Sequence, residues 1–220
     1  MADILRGYTY SRSAARYRDT ATGKFVARSR ITQLLEANVN AAEDRMSRII
    51  QGLYAKEIAP GMVQTMMRDE LRRLSLQNAA LGKGGFDRLT LSDYGRVGRQ
   101  LRDSYQRASN LVNGVASGKV TVAQALNRIE GYTLEARRQF FAAERAVVHE
   151  SRQQFEERRI LHARESCVDC VRYASMGWQP AGTLPLPGEQ SRCNAYCRCS
   201  IERREVTEER QPARAERIAA

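Results

Sequence analysis

The sequence predicts a mainly α-helical protein, with an elongated helical body and a small, irregular, cysteine-rich module near its C-terminus. Apolar residues recur at helical spacing along most of the chain, and strand signals are almost absent outside the cysteine region. All five cysteines lie between Cys167 and Cys199, around a connector rich in glycine and proline. The predicted segments are a basic extended arm (1–28), the helical body (29–162), the cysteine module (163–205) and a flexible tail (206–220).

Caps and breakers predict the helix boundaries within the body. The first helix begins at Ser29, a favourable N-cap residue, and Pro60 lies in the first turn of the second. A third helix begins near Ser92, and Thr121 opens a short helix through Ile129. Each of the long helices has an apolar stripe that can pack against the others.

The last helix of the body is predicted to run from about Thr133 to His162. Its apolar residues fall at intervals of seven, which is typical of a seam packed against another helix. The charged residues between them are interpreted as a solvated face, including Arg137, Arg138, Glu144 and Arg145. The residues of the seam are Leu134, Phe141, Val148, Phe155 and His162.

The N-terminal 28 residues have no helical stripe and are rich in arginine. Residues 15–26 place turn-forming residues between aromatic side chains, which predicts a turn or short hairpin that docks on a partner. The alternative is a solvated, disordered terminus. The candidate nucleic-acid contacts in and beside this arm are Arg12, Arg16, Arg18, Lys24, Arg28 and Arg30.

The net charge of the chain favours a polyanionic partner. It is +11 with a pI near 9.9, and all but four of the 36 basic residues are arginine. The planar guanidinium binds two phosphate oxygens at once, so arginine suits contacts to nucleic acid. A bias of the coding genome towards arginine could explain the choice of arginine over lysine, but it does not explain the excess of positive charge.

The cysteine spacing predicts a structural zinc site. Two tight clusters, one of them a CxxC pair, can direct four thiolates at one tetrahedral ion. Because the chain has no apolar secretion signal and no run of eighteen apolar residues, we expect an unsecreted protein without a membrane span, whose thiols stay reduced. Disulfides are the alternative, and unlinked thiols a third possibility. The preferred ligands are Cys167, Cys170, Cys193 and Cys197, with Cys199 able to replace Cys193 or Cys197.

Two neighbours of the cysteines have assigned roles in this prediction. His162 is either an outer group or alternative ligand of the metal, or a histidine at a helix end. Trp178, the one large apolar residue of the connector, is expected to cover the cluster as a lid. We expect no enzyme activity, because no nucleophile–histidine pair, paired carboxylates in an apolar setting, or nucleotide-binding loop is visible.

Several motifs resemble phage minor head proteins of the head-morphogenesis group related to the Mu F-like proteins. They are the CxxC at Cys167 and Cys170, the proline-rich loop at 184–188 and the terminal CRC at Cys197 and Cys199. Residues 16–26, 91–97 and 124–128 are also similar to a phage and prophage subgroup. Many family members have a histidine-containing step before the CRC. Here Cys193 stands four residues before Cys197, which leaves the fourth ligand open.

The resemblance implies a low-copy virion component near the portal, assembled in the bacterial cytoplasm and acting in head assembly or DNA packaging and delivery. Its expected partners are the portal or major capsid protein, and packaged DNA through non-specific contacts, and it is expected to be oligomeric in the particle. The alternative function is a zinc-containing, DNA-binding regulatory protein. Against it, no helix with base-reading residues at finger spacing follows the cysteines.

Overall fold

The computed structural model describes residues 4–12, 14–150 and 154–206, and it confirms the predicted fold class, with a mainly helical body and a C-terminal cysteine region. Two short 3₁₀ turns and eleven helices and strands are present in these residues. In chain order they are β1 (Tyr8–Ser11), β2 (Arg16–Asp19), α1 (Arg28–Tyr54), α2 (Pro60–Lys83), a 3₁₀ turn (Phe86–Arg88), α3 (Leu91–Ala116), α4 (Val122–Ala136), α5 (Arg138–Glu150), β3 (Phe155–Ile160), α6 (Val168–Ser175), β4 (Gln179–Pro180), a 3₁₀ turn (Asn194–Tyr196) and β5 (Ser200–Glu205).

The hydrophobic core lies between α1, α2, α3, α4 and α5, with α2 packed against all four of the others. Burial of each large apolar side chain stabilises the fold by about 1.5–3 kcal/mol. Among the described residues, no helix combines the length and the apolar character needed to cross a lipid bilayer. The largest fully buried core side chains are Leu35, Met46, Ile50, Met67, Leu71, Leu74, Leu81, Leu111, Ile129, Phe140, Phe141 and, outside the helices, Leu184.

Most predicted helix starts are close to those observed. Pro60 is the first residue of α2, as expected, and Thr121 caps α4 through a reciprocal capping box with Gln124. Helix α3 begins at Leu91, close to the predicted start near Ser92, and its N-cap is Thr90, whose hydroxyl accepts from the backbone N–H of Asp93. Ser29 is not a cap, since α1 already includes it and begins at Arg28.

The predicted long helix from Thr133 to His162 is wrong. The predicted range contains parts of three elements. Helix α4 ends at Ala136, helix α5 ends at Glu150, and strand β3 occupies residues 155–160. In β3 the side chains alternate, so that Glu157 and Arg159 are buried while their neighbours are half-buried. The seven-residue spacing of apolar residues therefore predicted one helix incorrectly, because Phe155 belongs to a strand and His162 to the loop after it.

The cysteine region contains a three-stranded antiparallel sheet in the order β4-β3-β5. Phe155 pairs with Glu205 at one end of the β3–β5 ladder, and Ile160 pairs with Ser200 at the other. The sheet joins a strand that was predicted as body helix to the segment after the last cysteine. The module is thus more regular than the sequence indicates.

The turn predicted within residues 15–26 is present, since Arg18 and Phe25 form an isolated antiparallel bridge across it. The arm also forms a hairpin of β1 and β2, which the sequence did not indicate. Its apolar side chains pack against this chain, since Tyr17 is buried and its hydroxyl donates to the carbonyl oxygen of Leu81 at 2.7 Å. Val26 is also buried in the core. The hairpin therefore docks on its own helical body. Of the predicted tail, residues 207–220 lie outside the described residues.

A network of buried and half-buried charges connects the body to the sheet. Glu144 of α5 accepts from Arg28 and Arg203, and Glu157 of β3 accepts from Arg145 and Arg203. Burial acts to raise the pKa of Glu144, but Arg28 and Arg203 outweigh it and hold that pKa below its usual value. Glu144 and Arg145 are therefore not part of a solvated face, which corrects the interpretation of their helix.

Candidate metal centre

Three short segments bring the five cysteines together. Cys167 is the N-cap of α6 and Cys170 lies in its first turn, so a spacing of three places both on one side of the helix. Cys193 precedes the second 3₁₀ turn and Cys197 follows it. Cys199 lies directly before β5. The sheet and α6 hold the two ends of the cysteine region against each other, since α6 packs on β3.

The sulfur atoms form two groups that share one member. The thiols of Cys167, Cys170 and Cys193 lie within 4.8 Å of one another, as do those of Cys170, Cys197 and Cys199. The Sγ of Cys170 is 3.6 Å from that of Cys193 and 3.8 Å from that of Cys197. Four sulfurs bonded to zinc at about 2.3 Å are separated by about 3.8 Å along each edge of the tetrahedron. These distances suit a metal and exceed the length of a disulfide, and all five cysteines are free.

The thiols differ in how readily they ionise. A hydrogen bond from Cys199 lowers the pKa of Cys197 to about 5, against the effect of burial. Burial acts to raise the pKa of Cys167, but hydrogen bonds from the backbone of Cys170 and Cys193 lower it to about 7. The pKa of Cys199 is raised, first because its own thiol donates to Cys197 and then by burial. Cys197 and Cys167 are thus available as thiolates near neutral pH, and the thiolate is the form that binds metals.

All five predicted ligand candidates converge, and the structure does not single out four of them. His162 belongs to neither sulfur group; it is exposed, and its Nε2 lies 2.8 Å from the hydroxyl of Ser200. The prediction that Trp178 covers the cysteines is wrong. Its ring contacts the guanidiniums of Arg158 and Arg204 of the sheet, which lie 4.6 and 4.1 Å from the ring centroid. The sequence did not indicate which surface an aromatic residue in a proline-rich loop would cover.

Hydrogen bonds from two side chains attach the cysteine module to the helical body. The sequence analysis placed one of them on a solvated face and assigned no role to the other. Arg137, between α4 and α5, is 3% exposed and donates to the carbonyl oxygen of Cys197 at 3.1 Å and to Glu36. The hydroxyl of Tyr196 donates to the side chain of Asn127 at 2.9 Å. Arg137 is therefore a buried anchor, and its position beside an expected helix seam was the only signal of this.

The predicted nucleic-acid contacts divide into two sets. Arg28 is held by Glu144 and by the carbonyl oxygen of Ile201 at 2.6 Å, so its guanidinium is not free to bind phosphate. Arg16 and Arg18 lie on the exposed face of β2 over the ring of Phe25, at 4.8 and 3.9 Å from its centroid. The three remaining candidates are exposed, and they are Arg12, Lys24 and Arg30.

No protein-family model matches the chain. No curated protein and no solved structure matches it significantly either. The function must therefore be inferred from the geometry of the cysteine module, its attachment and its exposed surfaces.

Proposed function

We propose that this chain is a structural component of a phage head, in which a zinc-clamped module docks on portal or capsid subunits. The observation that carries the proposal is the attachment of the cysteine cluster to the helical body through buried Arg137. A site closed by four thiolates has no position for a reacting water, so its role is to hold shape. The similarity of the CxxC, proline-rich loop and CRC to phage minor head proteins gives the class of assembly.

The outer surface of the module supports docking on protein. Val168 and Val171 of the short helix α6, and Met176 at its C-cap, are each more than 40% exposed. Val168 and Val171 are three residues apart, and so lie on one side of the helix. Exposed apolar residues beside one another are typical of a surface that another protein covers. This surface disfavours the regulatory alternative, because a helix that reads DNA presents polar and basic side chains to the bases.

The basic hairpin supports a second contact, to packaged DNA. Four basic side chains of the arm are exposed, namely those of Arg12, Arg16, Arg18 and Lys24. The carboxylate of the nearby Asp19 accepts hydrogen bonds from the backbone N–H groups of residues 21 and 22. Such a surface binds phosphates without reading sequence. We therefore expect weak DNA binding that falls steeply with salt and shows no preference among sequences.

Incorporation into particles tests this function. Phage particles are purified from a host that carries the tagged chain, and the copies per particle are counted for wild type, Val171→Asp and Leu91→Asp. Leu91 is the matched control, since it is an exposed apolar residue on α3 rather than on the module. We expect wild type and Leu91→Asp in particles and Val171→Asp depleted. Particles without the wild-type chain, or with a normal amount of Val171→Asp, would contradict the proposal.

A further inference from the structure

The module contains a buried cation that has no acidic partner. Arg159 of β3 is 2% exposed, and no carboxylate among the described residues lies within 4.0 Å of its guanidinium. One of its nitrogens donates to the carbonyl oxygen of Pro185, while its Nε and the other terminal nitrogen have no partner. A buried charge without a counterion is unstable, so it is normally paired or placed at a metal.

The position of Arg159 is central to the module. Its guanidinium lies 5.5 Å from the ring centroid of Tyr173, which is three residues beyond Cys170 on α6. In the sheet it pairs with Ile201, two residues after Cys199. The unpaired cation therefore adjoins both halves of the cysteine cluster.

The nearby ion network cannot neutralise Arg159. That network consists of three guanidiniums and two carboxylates, namely Arg28, Arg145, Arg203, Glu144 and Glu157, so it already has an excess of positive charge. Arg159 also acts on Arg145 as a like charge. The cysteines can supply a further anion near Arg159, because Tyr173 and Ile201, which adjoin it, are close in sequence to Cys170 and Cys199.

We propose that Arg159 is the counterion of a metal–tetrathiolate cluster, a buried dianion formed by one divalent zinc-like ion and four of the five cysteines. On binding, the ion takes the place of the protons that the four thiols lose, and the sulfurs keep their negative charge. Two disulfides would leave the sulfurs neutral and Arg159 unpaired, so the same residue distinguishes the metal-bound from the oxidised form. This inference rests on the metal clamp of the proposed function and assigns a positioning residue to it.

The experiment compares Arg159→Met, Arg159→Lys and Arg158→Met by competition for Zn²⁺ against a chelator of known affinity. Arg158 is the matched control, because it is the neighbouring arginine of β3, partly exposed and paired with Glu202. We expect Arg159→Met to bind zinc about 10- to 100-fold more weakly, as is typical for a lost outer partner of a metal site. Arg159→Lys should restore most of the affinity because it restores the charge, and Arg158→Met should bind like wild type.

Thermal unfolding, together with the zinc affinities, shows whether a failed test contradicts the role of Arg159 or the metal clamp itself. The thermal midpoint of zinc-free Arg159→Met should equal or exceed that of zinc-free wild type, because the substitution removes a buried charge that has no counterion there. A merely structural role would instead lower the midpoints of Arg159→Met and Arg159→Lys alike, and that result would overturn the inference. Equal zinc affinity of Arg159→Met and wild type would also overturn it, and would leave the metal clamp intact. A wild-type chain that binds no zinc would instead contradict the clamp itself.

Discussion

Arg137 of the helical body donates a hydrogen bond of 3.1 Å to the carbonyl oxygen of Cys197, and its guanidinium is almost completely buried. This contact fixes the backbone of a candidate metal ligand against the junction of α4 and α5. Arg137 is therefore one of the solvent-shielded side chains that couple the cysteine module to the helical body.

Arg137→Met should destabilise the protein by about 2–3 kcal/mol, because a buried hydrogen bond to a charged donor is lost and the carbonyl of Cys197 is left unsatisfied. Urea unfolding of the zinc-bound protein measures the change. Arg198→Met is the control, since Arg198 also links the module to the body through Glu130 but is 60% exposed. It should cost less than about 1 kcal/mol. Equal losses in the two variants would contradict the role of Arg137.

Cys170→Ser should impair zinc binding more than any other single cysteine substitution, because Cys170 alone belongs to both sulfur groups. We expect the zinc affinity to fall by more than the roughly 100-fold that is typical when an outer partner of a metal ligand is lost. We also expect rapid proteolysis within residues 163–204. The helical body should keep its circular dichroism. Cys199→Ser is the comparison, since it leaves four sulfurs including Cys170. Unchanged protease resistance of the Cys170→Ser module would count against the account.

Gly82→Ala should destabilise the protein although alanine favours helices. A Cβ at Gly82 would clash with the carbonyl oxygen of Phe140 where α2 packs on α5, and overpacking of this kind costs about 1–3 kcal/mol. Gly98→Ala is the matched control in α3, where a Cβ meets nothing within 4 Å. It should stabilise by about 0.5–1 kcal/mol. Thermal or urea unfolding measures both, and a stabilised Gly82→Ala would refute the close approach.

Asp93 should make stability depend on pH in the acid range. Burial acts to raise its pKa, but Thr90, Lys83 and Arg96 outweigh it and hold the pKa below the usual value of 3.8. Its stabilising contribution is therefore present above about pH 4 and is lost as the pH falls through the lowered pKa. Asp93→Asn should be less stable than wild type at pH 7, with a difference that shrinks below pH 4. A difference that stays constant with pH would contradict this.

The sequence contains most of the information for the helical body and little for the attachment of the module. The stripes of α1, α2 and α3 and the caps at Pro60 and Thr121 are local signals, and local signals predict helices well. The strand β3 was missed because its residues 156–159 are all charged, and burial of Glu157 and Arg159 depends on partners distant in sequence. Likewise, the convergence of five cysteines followed from their spacing, whereas the anchor at Arg137 did not.

Metal content and thiol state of the purified chain test the central claim most directly. Inductively coupled plasma mass spectrometry should find one zinc per chain, and intact-mass analysis should find no disulfide. Before chelation, alkylation should modify at most the one cysteine that does not bind the ion. After chelation it should modify all five, and the module should become sensitive to protease. A chain that contains neither metal nor disulfide, and whose five cysteines are alkylated freely without chelator, would contradict the account.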